Sequence, residues 1–129
     1  MIIFTNGCFD VIHRGHLELL KYCAGLGSKV VVGLNSDSSI RRIKGISRPI
    51  NTEEDRRFLL ESLVWVDEVL IFHEDIPYKL IQCVKPDIIV KGGDYIPEEV
   101  VGADLAEVKI FQYVEGYSST KTIQDIDNR

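Results

Sequence analysis

Residues 2–34 have the sequence IIFTNGCFDVIHRGHLELLKYCAGLGSKVVVGL. The short apolar run at 2–5 is typical of a strand, and apolar residues then recur at helical spacing over 15–26. Glycines at the end of that segment favour helix termination, and the valine-rich run at 29–34 has the composition of a buried strand. The stretch therefore predicts a β-α-β unit.

The same alternation continues to the end of the chain. Further strand-like runs occupy 68–72, 87–90 and 108–113. Helix-sized segments lie at 36–43, at 52–63, at 77–84, after Pro97 and after Ser118 or Ser119. Strands that alternate with helices predict one domain over 1–129, an α/β fold with a doubly wound, Rossmann-like, parallel five-stranded sheet.

Composition and length limit the possible classes of protein. The chain has 129 residues, of which 45 % are hydrophobic and 27 % charged, as expected for one soluble globular domain. No apolar run approaches the roughly 18–20 residues that span a bilayer, and no signal peptide is recognisable. The three cysteines form no CxxC pair, which disfavours a disulfide framework or a zinc site and favours a reducing cytoplasm.

The net charge of −5 disfavours general binding to nucleic acid or to a membrane surface. The charge is unevenly distributed, because residues 41–57 carry six basic and three acidic side chains. That window has a net charge of +3, which leaves −8 for the rest of the chain. It is either a solvated helix face with neighbouring loops or a local anion site.

In a doubly wound sheet, ligands bind beyond the carboxyl ends of the strands. The segment 6–16 leaves the first strand and enters a helix near Gly15, where unpaired amides favour phosphate. His13 and His16 are three residues apart, close to one helical turn, so both imidazoles can face one oxyanion. They could instead be incidental surface residues or metal ligands, although the HxxH spacing alone is a weak metal signal and His73 is distant in sequence.

Two motifs carry a resemblance to a known family. Gly7-Cys8-Phe9-Asp10 followed by His13-Arg14-Gly15-His16 resembles the HxGH motif of the cytidylyltransferase-like nucleotidyltransferase superfamily. Glu115-Gly116-Tyr117-Ser118-Ser119-Thr120-Lys121 resembles its late Ser/Thr-rich motif, which opens a helix. Both motifs fall where the alternation of strands and helices predicts a strand-to-helix turn.

One branch of the superfamily is especially similar. Asn35-Ser36-Asp37, Lys44-Gly45, Ser47-Arg48-Pro49 and Lys91-Gly92-Gly93-Asp94-Tyr95 resemble the adenylyltransferase domain of bacterial ADP-heptose synthases. That branch acts on D-glycero-β-D-manno-heptose 1-phosphate, and the lack of a kinase-sized segment here implies its stand-alone form. The sister branch, glycerol-3-phosphate cytidylyltransferase, has an arginine in its late motif where this chain has Tyr113, and Tyr117 departs from both branches.

The resemblance implies a role for each site residue. The implied catalytic residues are His13, His16 and Lys44, although a lysine alone could equally be a mobile surface group. The implied nucleotide-binding residues are Cys8, Phe9, Gly15, Lys91, Gly92, Asp94, Gly116, Ser118, Ser119 and Thr120. The implied acceptor-binding residues are Asp10, Asn35, Arg48 and Arg56.

The implied reaction is transfer of AMP from ATP to a sugar phosphate, with pyrophosphate released. The alternative within the superfamily is CTP with glycerol 3-phosphate or a related alcohol phosphate. Mg²⁺ is expected to enter on the triphosphate, without a metal site of the protein's own, and a homodimer is implied. A nucleotide-binding module without catalysis would need a damaged phosphate site, and a dinucleotide-binding domain would need a GxGxxG after the first strand.

Overall fold

The computed structural model describes residues 1–112, so the late motif with Gly116, Ser118, Ser119 and Thr120 lies outside the described residues. The strands are β1 (Ile2–Gly7), β2 (Lys29–Asn35), β3 (Glu68–Phe72), β4 (Ile88–Gly92) and β5 (Glu107–Phe111). The helices are α1 (Arg14–Leu26), α2 (Asp37–Lys44), α3 (Glu53–Glu61) and α4 (Tyr78–Val84), with a 3₁₀ turn at Pro97–Glu99. None of these described helices is long and apolar enough to cross a bilayer.

All five strands are parallel and lie in the order β3-β2-β1-β4-β5. The α/β fold class predicted from the sequence is therefore confirmed. The central strand β1 pairs with β2 on one side and with β4 on the other. The strand order reverses between β1 and β4, which is where such sheets open a crevice at their carboxyl ends.

Alternate residues of the strands face two separate apolar clusters. Ile3 belongs to a cluster that includes residues of α1 and α3, such as Leu20 and Leu60. Phe4, the next residue along β1, belongs to a second cluster with Ile81 of α4. Helices thus cover both faces of the sheet, and the near-continuous apolar strands are buried on both sides.

Local chemistry fixes where the helices and strands end. Thr52 caps α3 by accepting a hydrogen bond from the Asp55 amide, and α3 ends at Glu61, two residues earlier than predicted. Lys44 is the last residue of α2, one residue beyond the helix-sized segment predicted at 36–43. The fourth strand was predicted at 87–90, but pairing with β5 extends β4 through Lys91 and Gly92.

Two adjacent leucines of α3 test which face of the helix supports the fold. Leu60 is fully buried, whereas Leu59 is 46 % exposed. We expect Leu60→Ala to lower the free energy of unfolding by about 2–5 kcal/mol, because it removes buried methyl groups and leaves a cavity. Leu59→Ala should change it by about 0.5 kcal/mol or less. Equal losses in urea denaturation of the two variants would contradict this orientation of α3.

Candidate active site

A cleft of about 440 Å³ opens at the carboxyl ends of β1, β2 and β4. We call it the main cleft. Its described lining comprises Asn6, Gly7, Cys8, Phe9, His16, Asn35, Ile43, Lys44, Lys91, Gly92 and Tyr95. The cleft lies at the switch in strand order, so the topology of the sheet brings together segments that are far apart in sequence.

The turn after β1 directs the chain toward the first helix. Phe9 has a φ of 47°, a left-handed conformation that is uncommon for a bulky residue. Its buried ring packs close to Gly7 and lies 5.1 Å, between ring centroids, from the imidazole of His16. Phe9 therefore supports one wall of the main cleft as well as lining it.

His13 and His16 form a reciprocal cap at the start of α1. The amide of Gly15 donates to Nδ1 of His13 at 3.0 Å, and the amide of His13 donates to Nδ1 of His16 at 3.2 Å. The two rings stack with their centroids 4.0 Å apart. Because each Nδ1 accepts a hydrogen bond, the proton of each neutral imidazole lies on Nε2. Both histidines thus carry a donor at Nε2.

The surroundings keep both imidazoles uncharged. Burial lowers the pKa of His13 below its ordinary value. Burial, assisted by the neighbouring His13 and Lys44, lowers the pKa of His16 to about 3. Protonation of either Nδ1 would also break the hydrogen bond that it accepts. The two histidines are therefore neutral hydrogen-bond donors at pH 7.

Two lysines supply positive charge to the main cleft, and none of its described lining residues is acidic. Lys44 is exposed at the end of α2, whereas burial lowers the pKa of Lys91 on β4. The Lys91 ammonium lies 5.0 Å from the centre of the Tyr95 ring. Burial likewise raises the pKa of Cys8, which keeps its thiol protonated. The charge of the cleft favours an anionic ligand.

Gly93 lets the chain after β4 fold back so that Tyr95 reaches the cleft. Its φ of 111° lies in the left-handed region that disfavours side chains, and a Cβ there would lie 3.1 Å from the Tyr95 ring. Asp94, which was predicted to bind nucleotide, is exposed and does not line the main cleft.

Behind the cleft, the guanidinium of Arg56 joins four segments. Its Nη1 donates to the carbonyls of Cys8 (2.8 Å) and Asn35 (2.7 Å), and its Nε donates to the carbonyl of Asn51 (3.0 Å). Its Nη2 donates to the carboxylate of Asp37 at 2.8 Å. Arg56 is fully buried. It was predicted to bind the acceptor, but its burial and its inward hydrogen bonds make it a positioning residue instead.

Asp10, like Arg56, is a buried charged residue that forms hydrogen bonds with the backbone. It is 1 % exposed, and its carboxylate accepts hydrogen bonds from the amides of Ile50 and Asn51 at 2.8–2.9 Å. Arg48, whose side chain is 13 % exposed, lies 3.4 Å from the same carboxylate. The prediction that Asp10 contacts the acceptor does not agree with its burial. Of the four predicted acceptor residues, only Asn35 lines the main cleft.

The remaining predicted residues differ in their distance from the main cleft. His13 caps α1 beside the cleft without lining it, and Gly15 is buried in the first turn of the helix. Sequence reasoning missed Asn6 and Ile43, which line the cleft. Asn6 could have been found, because it is the first residue of the segment that leaves β1. Within residues 1–112, no group of three or more His, Cys, Asp or Glu side chains could hold a metal ion.

The amino-acid sequence is similar to those of known proteins. A family model described as cytidylyltransferase-like matches residues 4–124. The bifunctional protein HldE of Helicobacter pylori (strain J99) is 55 % identical over 126 residues, which cover 97 % of this chain and 27 % of HldE. HldE of Nitratiruptor sp. is 55 % identical over 124 residues, with 95 % and 27 % covered. The chain thus spans about a quarter of the length of these curated relatives.

A solved structure has the same fold. The lipopolysaccharide core biosynthesis protein from Thermoplasma volcanium superposes with a TM-score of 0.74 at 31 % sequence identity. The match covers 92 % of this chain and 98 % of that one.

The depressed pKa of His16 has a consequence for stability. A folded-state pKa of about 3, against about 6.5 in the unfolded chain, means that the unfolded state binds more protons between these values. The contribution of His16 to the free energy of unfolding is therefore fully present above pH 6.5 and is lost as the pH falls toward 3. We expect wild type to lose about 2 kcal/mol more than His16→Asn between pH 7.5 and pH 5.0 in urea denaturation.

The Asn side chain retains an acceptor for the His13 amide but has no group that titrates. The variant therefore differs from wild type mainly in lacking the protonation of the imidazole. The exposed His73 offers a matched control, because His73→Asn should follow wild type at both pH values. An equal loss for wild type and His16→Asn would contradict the buried, neutral state of His16.

The hydrogen bonds of Arg56 predict a large stability effect. Arg56→Met leaves three carbonyls and the Asp37 carboxylate without this donor, which should cost about 3–5 kcal/mol. Arg57→Met is the matched control, because that side chain is 42 % exposed and pairs only with Glu61 among the described contacts. Its loss should stay within about 1 kcal/mol. Similar unfolding free energies for the two variants would show that the four segments do not depend on Arg56.

Proposed function

Because the chain belongs to the cytidylyltransferase-like family of nucleotidyltransferases, we propose that it transfers AMP from ATP to a sugar phosphate and releases pyrophosphate. This membership confirms the predicted resemblance to that family. The acceptor that we favour is D-glycero-β-D-manno-heptose 1-phosphate. The main observation in support is the cation-lined main cleft, which His16 lines and beside which its capping partner His13 lies, both as neutral donors at a helix N-terminus.

The proposed reaction needs no catalytic base. A phosphate monoester has a second pKa of about 6, so it is largely dianionic at pH 7 and already nucleophilic. The two histidines suit a reaction without a catalytic base, because each Nδ1 accepts a backbone hydrogen bond and each Nε2 bears the proton. They act as donors to charge that develops in the transition state, a role for which donors held in position before the reaction are effective.

In the proposed step, an acceptor phosphate oxygen attacks the α-phosphorus of ATP. The bond from the α-phosphorus to the oxygen that bridges it to the β-phosphate breaks, and pyrophosphate leaves with that electron pair. Nε2–H of His13 and His16 donates to oxygens around the α-phosphorus, and Lys44 lies between the nucleotide and the acceptor phosphate. The cations reduce the repulsion between two anionic reactants, and the cleft aligns the reacting atoms.

The other proposed contacts concern the rest of the nucleotide. The amides of Cys8 and Phe9 contact the nucleoside together with Lys91, Gly92 and Tyr95, and Gly15 allows close approach at the helix mouth. Gly116, Ser118, Ser119 and Thr120 bind the β- and γ-phosphates through hydroxyls and amides. Bound to the triphosphate, Mg²⁺ supplies neutralisation of phosphate charge, which requires few protein carboxylates.

The choice of ATP rests on the sequence motifs at 35–37, 44–49 and 91–95 and on the similarity to HldE over nearly the whole chain. CTP with glycerol 3-phosphate is the second candidate, since the family as a whole is described as cytidylyltransferase-like. We further propose a homodimer in the cytoplasm. The three cysteines are free, which suits a reducing compartment.

A pyrophosphate-release assay tests the proposal. ATP and CTP are each combined with heptose 1-phosphate and with glycerol 3-phosphate in the presence of Mg²⁺. We expect turnover with ATP and heptose 1-phosphate, and we expect His16→Ala to lower kcat by about 10²–10³-fold because it removes a transition-state donor. His73→Ala is the matched control and should retain wild-type kcat.

Turnover with CTP alone would transfer the proposal to the cytidylyltransferase branch. Tight nucleotide binding without turnover for any pair would favour a binding module. Near-full activity of a folded His16→Ala variant would contradict the role of His16.

A further inference from the structure

A second, smaller cavity adjoins the main cleft. We call it the side compartment, and its volume is about 200 Å³. Residues 75–77 line one side and residues 99–101 line the other, while Asn6, Lys91 and Tyr95 line both the side compartment and the main cleft. Lys91 and Tyr95 therefore lie at the boundary between the two neighbouring cavities.

The two cavities differ in charge. The described lining of the main cleft contains Lys44 and Lys91 and no carboxylate, whereas that of the side compartment contains Asp75 and Glu99. Lys91 is common to both and lies at the boundary. An anion is therefore favoured in the main cleft and less favoured in the side compartment, where Glu99 adds negative charge and the charge of Asp75 is partly compensated by Arg42.

The side compartment also has the mixture of groups that binds an uncharged polyol. Carboxylates and the Asn6 amide accept hydrogen bonds from hydroxyls, and hydrogen bonds to charged groups are the stronger class. Ile76, Val100 and the ring of Tyr95, which is 51 % exposed, offer apolar surface to C–H groups. The side compartment's volume of about 200 Å³ is less than half that of the main cleft, about 440 Å³, which suits the smaller, uncharged part of a ligand whose anionic part lies in the main cleft.

A neighbouring contact orients one of the carboxylates. Nε of Arg42 donates to Oδ1 of Asp75 at 2.9 Å, and the same guanidinium donates to the carbonyl of His73. This pair ties the loop that carries Asp75 to α2. A carboxylate has about four acceptor sites, so one contact with Arg42 fixes its direction without exhausting its capacity.

We propose that the side compartment holds the polyhydroxylated body of the acceptor, with Glu99 and Asp75 accepting hydrogen bonds from its hydroxyls while its phosphate stays in the main cleft near Lys44. This assignment rests on the proposed function and adds to it the residues that determine acceptor specificity. It explains why a sugar phosphate, with one charged and one uncharged end, fits two cavities of different charge. Neither carboxylate belongs to the motifs that indicate nucleotide binding.

The test compares two adjacent glutamates of the 3₁₀ turn. Glu99 lines the side compartment, whereas Glu98 faces a shallow depression formed with residues 103–108. Both are exposed, so alanine at either position should leave the fold intact. With ATP and heptose 1-phosphate, we expect Glu99→Ala to raise KM for the acceptor about tenfold or more, with little change in KM for ATP. Glu98→Ala should match wild type, and Asp75→Asn should raise the acceptor KM as well.

Binding of heptose 1-phosphate in the presence of a non-hydrolysable ATP analogue, measured by calorimetry, separates this inference from the proposed function. Weaker sugar phosphate binding by Glu99→Ala, with Glu98→Ala unchanged, supports the inference even if wild type shows no turnover. Wild-type turnover with an unaltered acceptor KM in both Glu99→Ala and Asp75→Asn overturns the inference and leaves the function in place. Weaker ATP binding by Glu99→Ala would overturn the inference, because it would mean that the side compartment holds the base. The inference would also be overturned if wild type bound no sugar phosphate.

Discussion

The buried guanidinium of Arg56 is the interaction on which the geometry of the site depends. It joins the turn after β1, the end of β2, the first turn of α2 and the residue before the cap of α3. A buried charge costs several kcal/mol unless it is fully paired, so these four segments must stay in place together. The Asp10 carboxylate binds the amides of Ile50 and Asn51 and connects the same loop to the turn after β1.

This network fixes the turn after β1, and Phe9 and the two histidines follow that turn. Arg56 holds the carbonyl of Cys8, Phe9 adopts its left-handed conformation next to it, and the ring of Phe9 packs against His16. The reciprocal cap then determines the tautomer of both imidazoles. A site that must bind a polyanion thus combines neutral histidine donors at the start of α1 with the two lysines that line the main cleft.

Much of this fold could be predicted from the sequence, because the alternation of apolar runs and helix-sized segments is regular. The HxGH segment and the lysines after β2 and in β4 were also predictable as parts of one cleft. The roles of Asp10 and Arg56 were not, since sequence does not tell which charged residues of a basic stretch turn inward. The side compartment escaped prediction for another reason: residues 75–77 and 99–101 meet only through the packing of two loops beyond the sheet.

The most direct test is a crystal structure of the protein with Mg²⁺ and a non-hydrolysable ATP analogue. We expect the triphosphate to lie in the main cleft, with Nε2 of His13 and His16 within hydrogen-bond distance of oxygens around the α-phosphorus. We also expect Nδ1 of each ring to keep its hydrogen bond from a backbone amide. A triphosphate bound elsewhere, or an imidazole that turns Nδ1 toward the phosphate, would contradict this expectation.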